Sequence, residues 1–222
     1  MAELKNILDD AIRKQSRELA VLFRSWENDG VENVLAQFIH AVEKPQIEWL
    51  GRLRGPASSE EIIAAEKRLG FTLPESIRSF FLSANGVEAL SHDFPCPILS
   101  IGEIRPGAES APDINGKLLR AQDRHPEISV GDPLEVYLPN DGYAMAMGEP
   151  HLKIPLSELD SLVSLSPMSR RSHATFVGSP CSGLGVGTIV EIEGAKATVY
   201  ANIKQWLGVV SYIFMERKYG QS

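Results

Sequence analysis

Residues 56–86, PASSEEIIAAEKRLGFTLPESIRSFFLSANG, decide the fold of this chain, because every local signal in them predicts the same structure. Ser58 can cap a helix, and Glu61, three residues later, can complete a capping box. Gly70 stands where a helix needs a left-handed residue to end, and Pro74 stands where a second helix can begin, because no N–H is needed there. The stretch therefore predicts a hairpin of two helices, with almost no residues suited to catalysis.

The composition of the whole chain is that of an ordinary globular protein. Of its 222 residues, 43% are hydrophobic and 23% are charged, so the chain can bury a sizeable core. The charged first residues do not resemble a secretory signal, and no run reaches the roughly 18 apolar residues of a membrane span. Cys96 and Cys181 lie far apart without metal-ligand spacing, which predicts two reduced thiols in a cytoplasmic protein with no metal and no cofactor.

Acidic residues are concentrated in the middle of the chain. The net charge is -7, and residues 86–160 hold 13 Asp and Glu against 5 Lys and Arg, whereas residues 161–222 hold 3 against 6. Such a surface repels nucleic acid and attracts basic partners, although an acidic face can also serve solubility alone. The carboxylates that we expect to contact a partner lie on or beside predicted strands and turns: Asp123, Glu127, Asp132, Glu135, Asp141 and Glu149.

The patterns on either side of the helical hairpin predict a segregated α+β fold. Residues 1–44 carry apolar side chains at helical spacing before and after a break at Asp29-Gly30, so we expect two helices that form an N-terminal extension. Residues 45–222 then form the main domain. Its predicted elements are short strands near 95–101, 128–130, 134–138, 143–147, 152–155, 162–165, 175–177 and 188–192, a short helix at 117–122 and a final helix at 198–216.

The hairpin resembles the signature region of the SUKH superfamily, which holds the fungal Smi/Knr cell-wall regulators and many bacterial relatives. The family pattern of cap, helix, Leu-Gly, Leu-Pro, aromatic helix and Asn-Gly is present at Pro56, Ser58, Glu61, Ile62, Glu66, Leu69, Gly70, Leu73, Pro74, Phe80, Asn85 and Gly86. Residues 98–104 are similar to the strand and turn that follow in the family, and residues 201–207 are similar to its closing helix.

This resemblance implies a mixed, mostly antiparallel sheet flanked by helices and a protein-binding role without enzymatic activity. Bacterial members act mainly as immunity proteins, which neutralise polymorphic toxins such as nucleases, and fungal members act as regulatory interaction proteins. Because a nuclease site is basic, an acidic surface suits an immunity protein that binds a basic toxin domain. The alternative with the same fold is a housekeeping scaffold or regulator. Neither role implies binding to nucleic acid or membranes, and both leave the oligomeric state open.

Other patterns offer weaker alternatives. An enzyme that uses Cys96 with His92 would need the two side chains in hydrogen-bond contact, whereas the sequence shows only that they are near each other in a Pro-rich loop. The GxGxG pattern at 183–187 is similar to a phosphate-binding loop, but a strand-like stretch follows where a helix is required. Arg170 and Arg171 are too small a patch for nucleic acid, and the three tryptophans are interpreted as core or interdomain anchors.

Overall fold

The computed structural model describes residues 25, 28–42, 51–89, 97–106, 109, 133–137, 150–167, 173–193 and 196–219. These residues form the helices α1 (Val31–Val42), α2 (Ser59–Leu69), α3 (Glu75–Ser83) and α4 (Ile203–Tyr219), and a 3₁₀ helix (Leu156–Ser161). Their strands are β1 (Gly51–Leu53), β2 (Val87–Ala89), β3 (Leu134–Tyr137), β4 (Leu152–Ile154), β5 (Leu162–Ser164), β6 (His173–Val177), β7 (Ile189–Glu193) and β8 (Lys196–Tyr200). The fold is α+β, as the sequence predicts.

The helical hairpin forms as its sequence signals require. The backbone N–H of Glu61 donates to the Ser58 hydroxyl (3.2 Å), and the Glu61 carboxylate accepts from the Ser58 backbone N–H (2.8 Å), so the predicted capping box is confirmed. Gly70 ends α2 in the left-handed conformation with φ of 80°. Pro74 precedes the first residue of α3 as its N-cap. The two helices bury their apolar faces through Ile62, Ala65, Ile77, Phe80 and Phe81.

The main sheet is mixed and mostly antiparallel, which confirms the predicted class. Its six strands lie in the order β4-β3-β8-β7-β6-β5, and the one parallel pair among them is β3 with β8. A separate two-stranded sheet joins β1 to β2. Parallel pairing needs a long crossover between strands, and here the crossover contains β4 to β7.

Residues 98–105 connect the two sheets. Ile98 exchanges two backbone hydrogen bonds with Val87 of β2, each 2.9 Å long. The next N–H, from Leu99, donates to the carbonyl of Leu165 (2.9 Å), and Ser164 of β5 donates to the carbonyl of Arg105 (3.0 Å). Within the described residues 97–101 of the strand predicted near 95–101, Ile98 forms a single bridge and no strand is present. This segment also covers the outer edge of β5, which would otherwise expose unpaired backbone groups.

Apolar clusters cover both faces of the main sheet. On the face that carries the helices, Phe38 of α1, Phe80 of α3, Phe176 of β6 and Trp206 of α4 are buried together. The opposite face buries a second cluster that includes residues of β3, β7, β8 and the 3₁₀ helix. Because both faces are buried, all five residues of β6 are inaccessible. Trp206 is thus a core anchor, as predicted.

The C-terminal region differs from the predicted single helix at 198–216. Residues 196–200, Lys-Ala-Thr-Val-Tyr, form β8 between β3 and β7, and α4 begins only at Ile203. The Asn202 side chain accepts from the backbone N–H groups of Lys204 (3.0 Å) and Gln205 (3.2 Å), and this cap defines the start of α4. The spacing of Val199 from the later apolar residues predicts a helix. Because β8 pairs with a strand on each side, Val199 lies in a strand instead.

Three strands differ from the prediction. Strand β6 begins at His173, two residues before the predicted strand at 175–177, and His173 is buried. The short strands β1 and β2 were not predicted, because three residues carry too little pattern. The first predicted helix of the N-terminal region, the predicted helix at 117–122 and the predicted strands at 128–130 and 143–147 lie outside the described residues.

Helix α1 packs within the main body. Val34 and Phe38 are fully buried in the cluster that also contains residues of α3 and α4. The Lys204 ammonium of α4 donates to the carbonyl of Asp29, just before α1, at 2.9 Å. The second predicted N-terminal helix is therefore present, while the boundary between a 1–44 extension and a 45–222 domain stays a prediction.

Candidate functional site

Two side chains of the helical hairpin, Arg68 and Asn85, hold it to the turn at 100–104. The Arg68 guanidinium of α2 donates to the carbonyls of Ile104 (2.6 Å) and Ile101 (2.8 Å). The Asn85 side-chain oxygen accepts from the backbone N–H of Ile101 (2.7 Å). The side chains of Ile101 and Ile104 are themselves buried. These contacts orient the turn on the hairpin, so Asn85 has a structural role.

Gly86 allows this turn to approach the hairpin closely. Its φ is 92°, and a Cβ placed there would lie 2.6 Å from the carbonyl oxygens of Ile98 and Leu99. Both the backbone conformation and the available space therefore require glycine.

Glu103 stabilises the turn from the solvent side. Its carboxylate accepts from the Ser100 backbone N–H (2.8 Å) and hydroxyl (2.7 Å), and the first of these bonds is the one that the carboxylate makes in a capping box. The Arg54 guanidinium also donates to it. The hydrogen bond from Arg54, followed by those from Ser100, lowers the pKa of Glu103 to about 2.

The Glu66 carboxylate of α2 also forms contacts within the helical hairpin. It accepts from the Leu73 backbone N–H (3.1 Å) and lies 3.5 Å from the Arg78 guanidinium. The signature side chains of Glu61, Glu66 and Asn85 therefore form hydrogen bonds within the fold.

Of the six carboxylates predicted to contact a partner, Glu135 alone belongs to the part of the chain that the structure describes. It lies on β3 with its side chain one-third exposed. Its carboxylate accepts from the Tyr137 hydroxyl (2.8 Å) and lies 3.8 Å from the Lys153 ammonium on β4. Glu135 is thus held by two neighbours. The remaining five lie outside the described residues: Asp123, Glu127, Asp132, Asp141 and Glu149.

Tyr137 lies between charges of opposite sign. The Lys196 ammonium lies 5.3 Å from the centre of its ring, within the range of a cation–π contact. Burial, followed by the hydrogen bond to Glu135 and the charge of that carboxylate, raises the pKa of Tyr137 to about 12. The phenol therefore stays protonated at neutral pH and keeps donating to Glu135.

Four charged side chains of alternating sign cross the sheet at this point. The strand register places Lys153 of β4 beside Glu135 of β3, Glu135 beside Lys196 of β8, and Lys196 beside Glu193 of β7. Residues paired across strands point to the same face. We call these four residues the charge row. Lys153, Lys196 and Glu193 are exposed, so the charge row forms a mixed-charge surface on the face that also carries the helices.

Sequence reasoning missed three members of the charge row. Gly194-Ala195 between Glu193 and Lys196 is a hairpin signal that would have predicted β8 and its pairing with β7. No local signal predicts that β8 also pairs in parallel with β3, because that pairing joins residues about 60 positions apart in the chain.

The enzymatic alternatives gain no support from the geometry. Cys96 and His92 lie outside the described residues. Ser164 Oγ lies 3.2 Å from His173 Nε2, a distance typical of a nucleophile and its base. Both side chains are only 2% exposed, so a substrate cannot reach them. Burial, with a smaller effect of the Glu158 charge, raises the pKa of the Cys181 thiol, which makes it a poor nucleophile.

The glycine-rich segment at 183–187 is a strand connection, as predicted. The Leu184 N–H donates to the carbonyl of Cys181 (2.7 Å), and the two residues between them, Ser182 and Gly183, have positive φ angles of 44° and 80°. Strand β7 follows this turn. Within the described part of the chain, no group of three His, Cys, Asp or Glu residues is placed to hold a metal ion.

Taken together, these features define an α+β module whose characteristic side chains maintain its own structure. The family model described as SMI1 / KNR4 family (SUKH-1) matches residues 56–144, which supports the resemblance to the SUKH superfamily over that segment. Proteins of this family are generally non-catalytic and take part in protein–protein interaction. No curated protein matches the chain. None of the helices that the structure describes has the length and apolar character needed to cross a bilayer.

Proposed function

We propose that the protein is a cytoplasmic, non-enzymatic immunity protein that neutralises a basic, nuclease-type toxin by binding it. The observation that supports this proposal is the SUKH match over residues 56–144, combined with the hydrogen bonds that the signature side chains of Glu61, Glu66 and Asn85 form within the fold. With those side chains occupied in the fold, recognition falls to the surface of the acidic segment 86–160.

Electrostatics supports this choice of segment. Residues 86–160 hold 13 acidic and 5 basic residues, so they attract the Lys and Arg side chains that a nuclease uses to bind phosphate. Charge complementarity of this kind raises the association rate and excludes wrong partners, while buried anchors supply most of the affinity. The proposed contacts are Asp123, Glu127, Asp132, Glu135, Asp141 and Glu149.

The second candidate is a housekeeping scaffold or regulator of the Smi/Knr type, and it is favoured by the description of the matching family model. The two functions differ in their genomic setting. A toxin-domain gene next to this gene supports the immunity function, whereas a location away from toxin and secretion genes supports the regulatory one.

The direct test is co-expression with each toxin domain encoded beside the gene, followed by pull-down and measurement of association rates. Changing Asp132 and Asp141 to Asn and Glu149 to Gln should slow association about tenfold and reduce its salt dependence. A matched control, with Glu32, Glu60 and Glu75 changed to Gln, alters the net charge equally on exposed helical positions and should leave association unchanged. Failure of every adjacent toxin to bind, or equal effects of the two triple variants, would contradict the proposal.

A further inference from the structure

We infer that the charge row, formed by Lys153, Glu135, Lys196 and Glu193, is a self-complementary surface through which two copies of this chain associate. The register places these four side chains side by side on neighbouring strands. Their signs run positive, negative, positive, negative. In the opposite direction, from Glu193 to Lys153, the signs run negative, positive, negative, positive. When a second copy of the row is turned by 180°, each charge therefore faces a charge of opposite sign.

Symmetry determines which residues meet. In a two-fold dimer the same patch is used by both copies. An axis parallel to the strands, between β3 and β8, places Glu135 opposite Lys196 of the second copy and Lys153 opposite its Glu193. An axis along the row instead places like charges opposite each other, which costs free energy. The charge row therefore selects a single face-to-face arrangement.

The dimensions are compatible with this arrangement. Adjacent strands lie about 4.8 Å apart, so the four strands of the row span roughly 14 Å. The helices pack on the same face against Ile189 and Tyr200, at the other ends of β7 and β8, so the two copies meet only at the end of the sheet that carries the charge row. Lys153 is 55% exposed and Glu135 is 33% exposed, so both are accessible to a second molecule.

The two central charges are already oriented before any association. The Tyr137 hydroxyl holds Glu135 at 2.8 Å, and the Tyr137 ring lies under the Lys196 ammonium. A fixed side chain loses less conformational entropy when a partner binds, which favours a surface built for contact. At the outer end of the row, Glu193 has no ion pair with any residue that the structure describes, so its charge is available to a second copy.

The test uses the positions at the two ends of the row, Lys153 and Glu193. They lie three strands apart, roughly 14 Å by strand spacing, beyond the distance at which charges on one molecule usually couple. Sedimentation velocity of the full chain at low salt should show a concentration-dependent dimer. Lys153→Glu or Glu193→Lys alone should weaken dimerisation about tenfold, because each creates two like-charge contacts across the axis. The double variant should restore it.

A matched control separates this effect from a general change of surface charge. Arg52 and Glu88 form an exposed cross-strand pair at 2.8 Å on the small sheet. Exchanging them, as Arg52→Glu with Glu88→Arg, should leave dimerisation unchanged. Circular dichroism establishes that each variant is folded.

The expected dimer weakens as salt is added, because screening shortens from about 10 Å at 0.1 M to about 3 Å at 1 M. A chain that stays monomeric at low salt and high concentration would overturn the inference. So would a dimer whose double variant remains as weak as the single ones. The measurement needs no toxin, so its outcome is independent of the proposed immunity function.

Discussion

Single residues of the signature are constrained by backbone geometry as well as by side-chain chemistry. Gly86 and Gly70 both have left-handed φ angles, of 92° and 80°. They differ in their surroundings: a Cβ at Gly86 would meet backbone carbonyl oxygens at 2.6 Å, while a Cβ at Gly70 has nothing within 4 Å. A side chain at Gly70 would therefore introduce conformational strain alone, whereas a side chain at Gly86 would introduce both strain and a steric clash.

Gly86→Ala should lower the free energy of unfolding by roughly 2–4 kcal/mol, because strain and displacement of the turn add together. Gly70→Ala should cost only about 1 kcal/mol, since it adds strain alone. Urea denaturation of both variants measures the difference. Equal losses would show that the turn at 98–104 moves freely to accommodate the methyl group.

Glu103 should make the stability of the protein depend on pH in the acid range. Its pKa falls from 4.5 to about 2 on folding, so the folded state binds the proton more weakly. The stabilisation is then fully present above pH 4.5 and is lost as the pH falls toward about 2. Because the side chain is half exposed, solvent screening limits the effect to under about 1 kcal/mol.

The measurement is the free energy of unfolding of the wild type and of Glu103→Gln between neutral pH and pH 2. The advantage of the wild type should shrink as the solution is acidified through this range. An advantage that stays constant, or that grows in acid, would contradict the contacts of Glu103 with Arg54 and Ser100.

At the scale of elements, α1 contributes to the same apolar core as α3 and α4. Phe38 is fully buried there, whereas its neighbour Gln37 is exposed. Phe38→Ala should therefore destabilise the whole protein by about 3–5 kcal/mol, through lost burial and the cavity left behind. Gln37→Ala on the same helix should change stability by less than about 0.5 kcal/mol.

Thermal unfolding of the two α1 variants also tests the domain boundary. A single transition, shifted to lower temperature by Phe38→Ala, means that α1 unfolds together with the main body. A separate early transition would mean that residues 1–44 unfold independently of the rest.

At the scale of the whole molecule, the family-matched segment cannot complete the sheet by itself. Residues 56–144 contain β3, but β3 pairs with β4 and β8, both of which follow the segment. The helical hairpin likewise packs against Phe176 of β6 and Trp206 of α4 in one cluster. The isolated fragment 56–144 should therefore lack a cooperative unfolding transition, whereas the full chain should show one. Circular dichroism and urea titration of the two proteins would show this, and a stably folded fragment would refute it.

Sequence reasoning succeeded where short-range geometry determines structure. The capping box, the left-handed Gly70 and the start of α3 follow from contacts within a few residues. Strands β3 to β7 were found because each carries a run of apolar or β-branched residues. It failed at β8, where residues 196–200 match helical spacing with α4 but are held by strands on both sides. For the candidate site, it found Glu135 and missed its neighbours in the charge row.

The amino-acid sequence alone determined the helical hairpin and the acidic character of residues 86–160, because these depend on local backbone preferences and on the count of charges. Only the tertiary structure decided that β3 and β8 lie side by side, and hence that Lys153, Glu135, Lys196 and Glu193 form one row. Pairing between strands as distant in the chain as β3 and β8 depends on burial of both faces of the sheet, and the residues next to these two strands give no local signal for it.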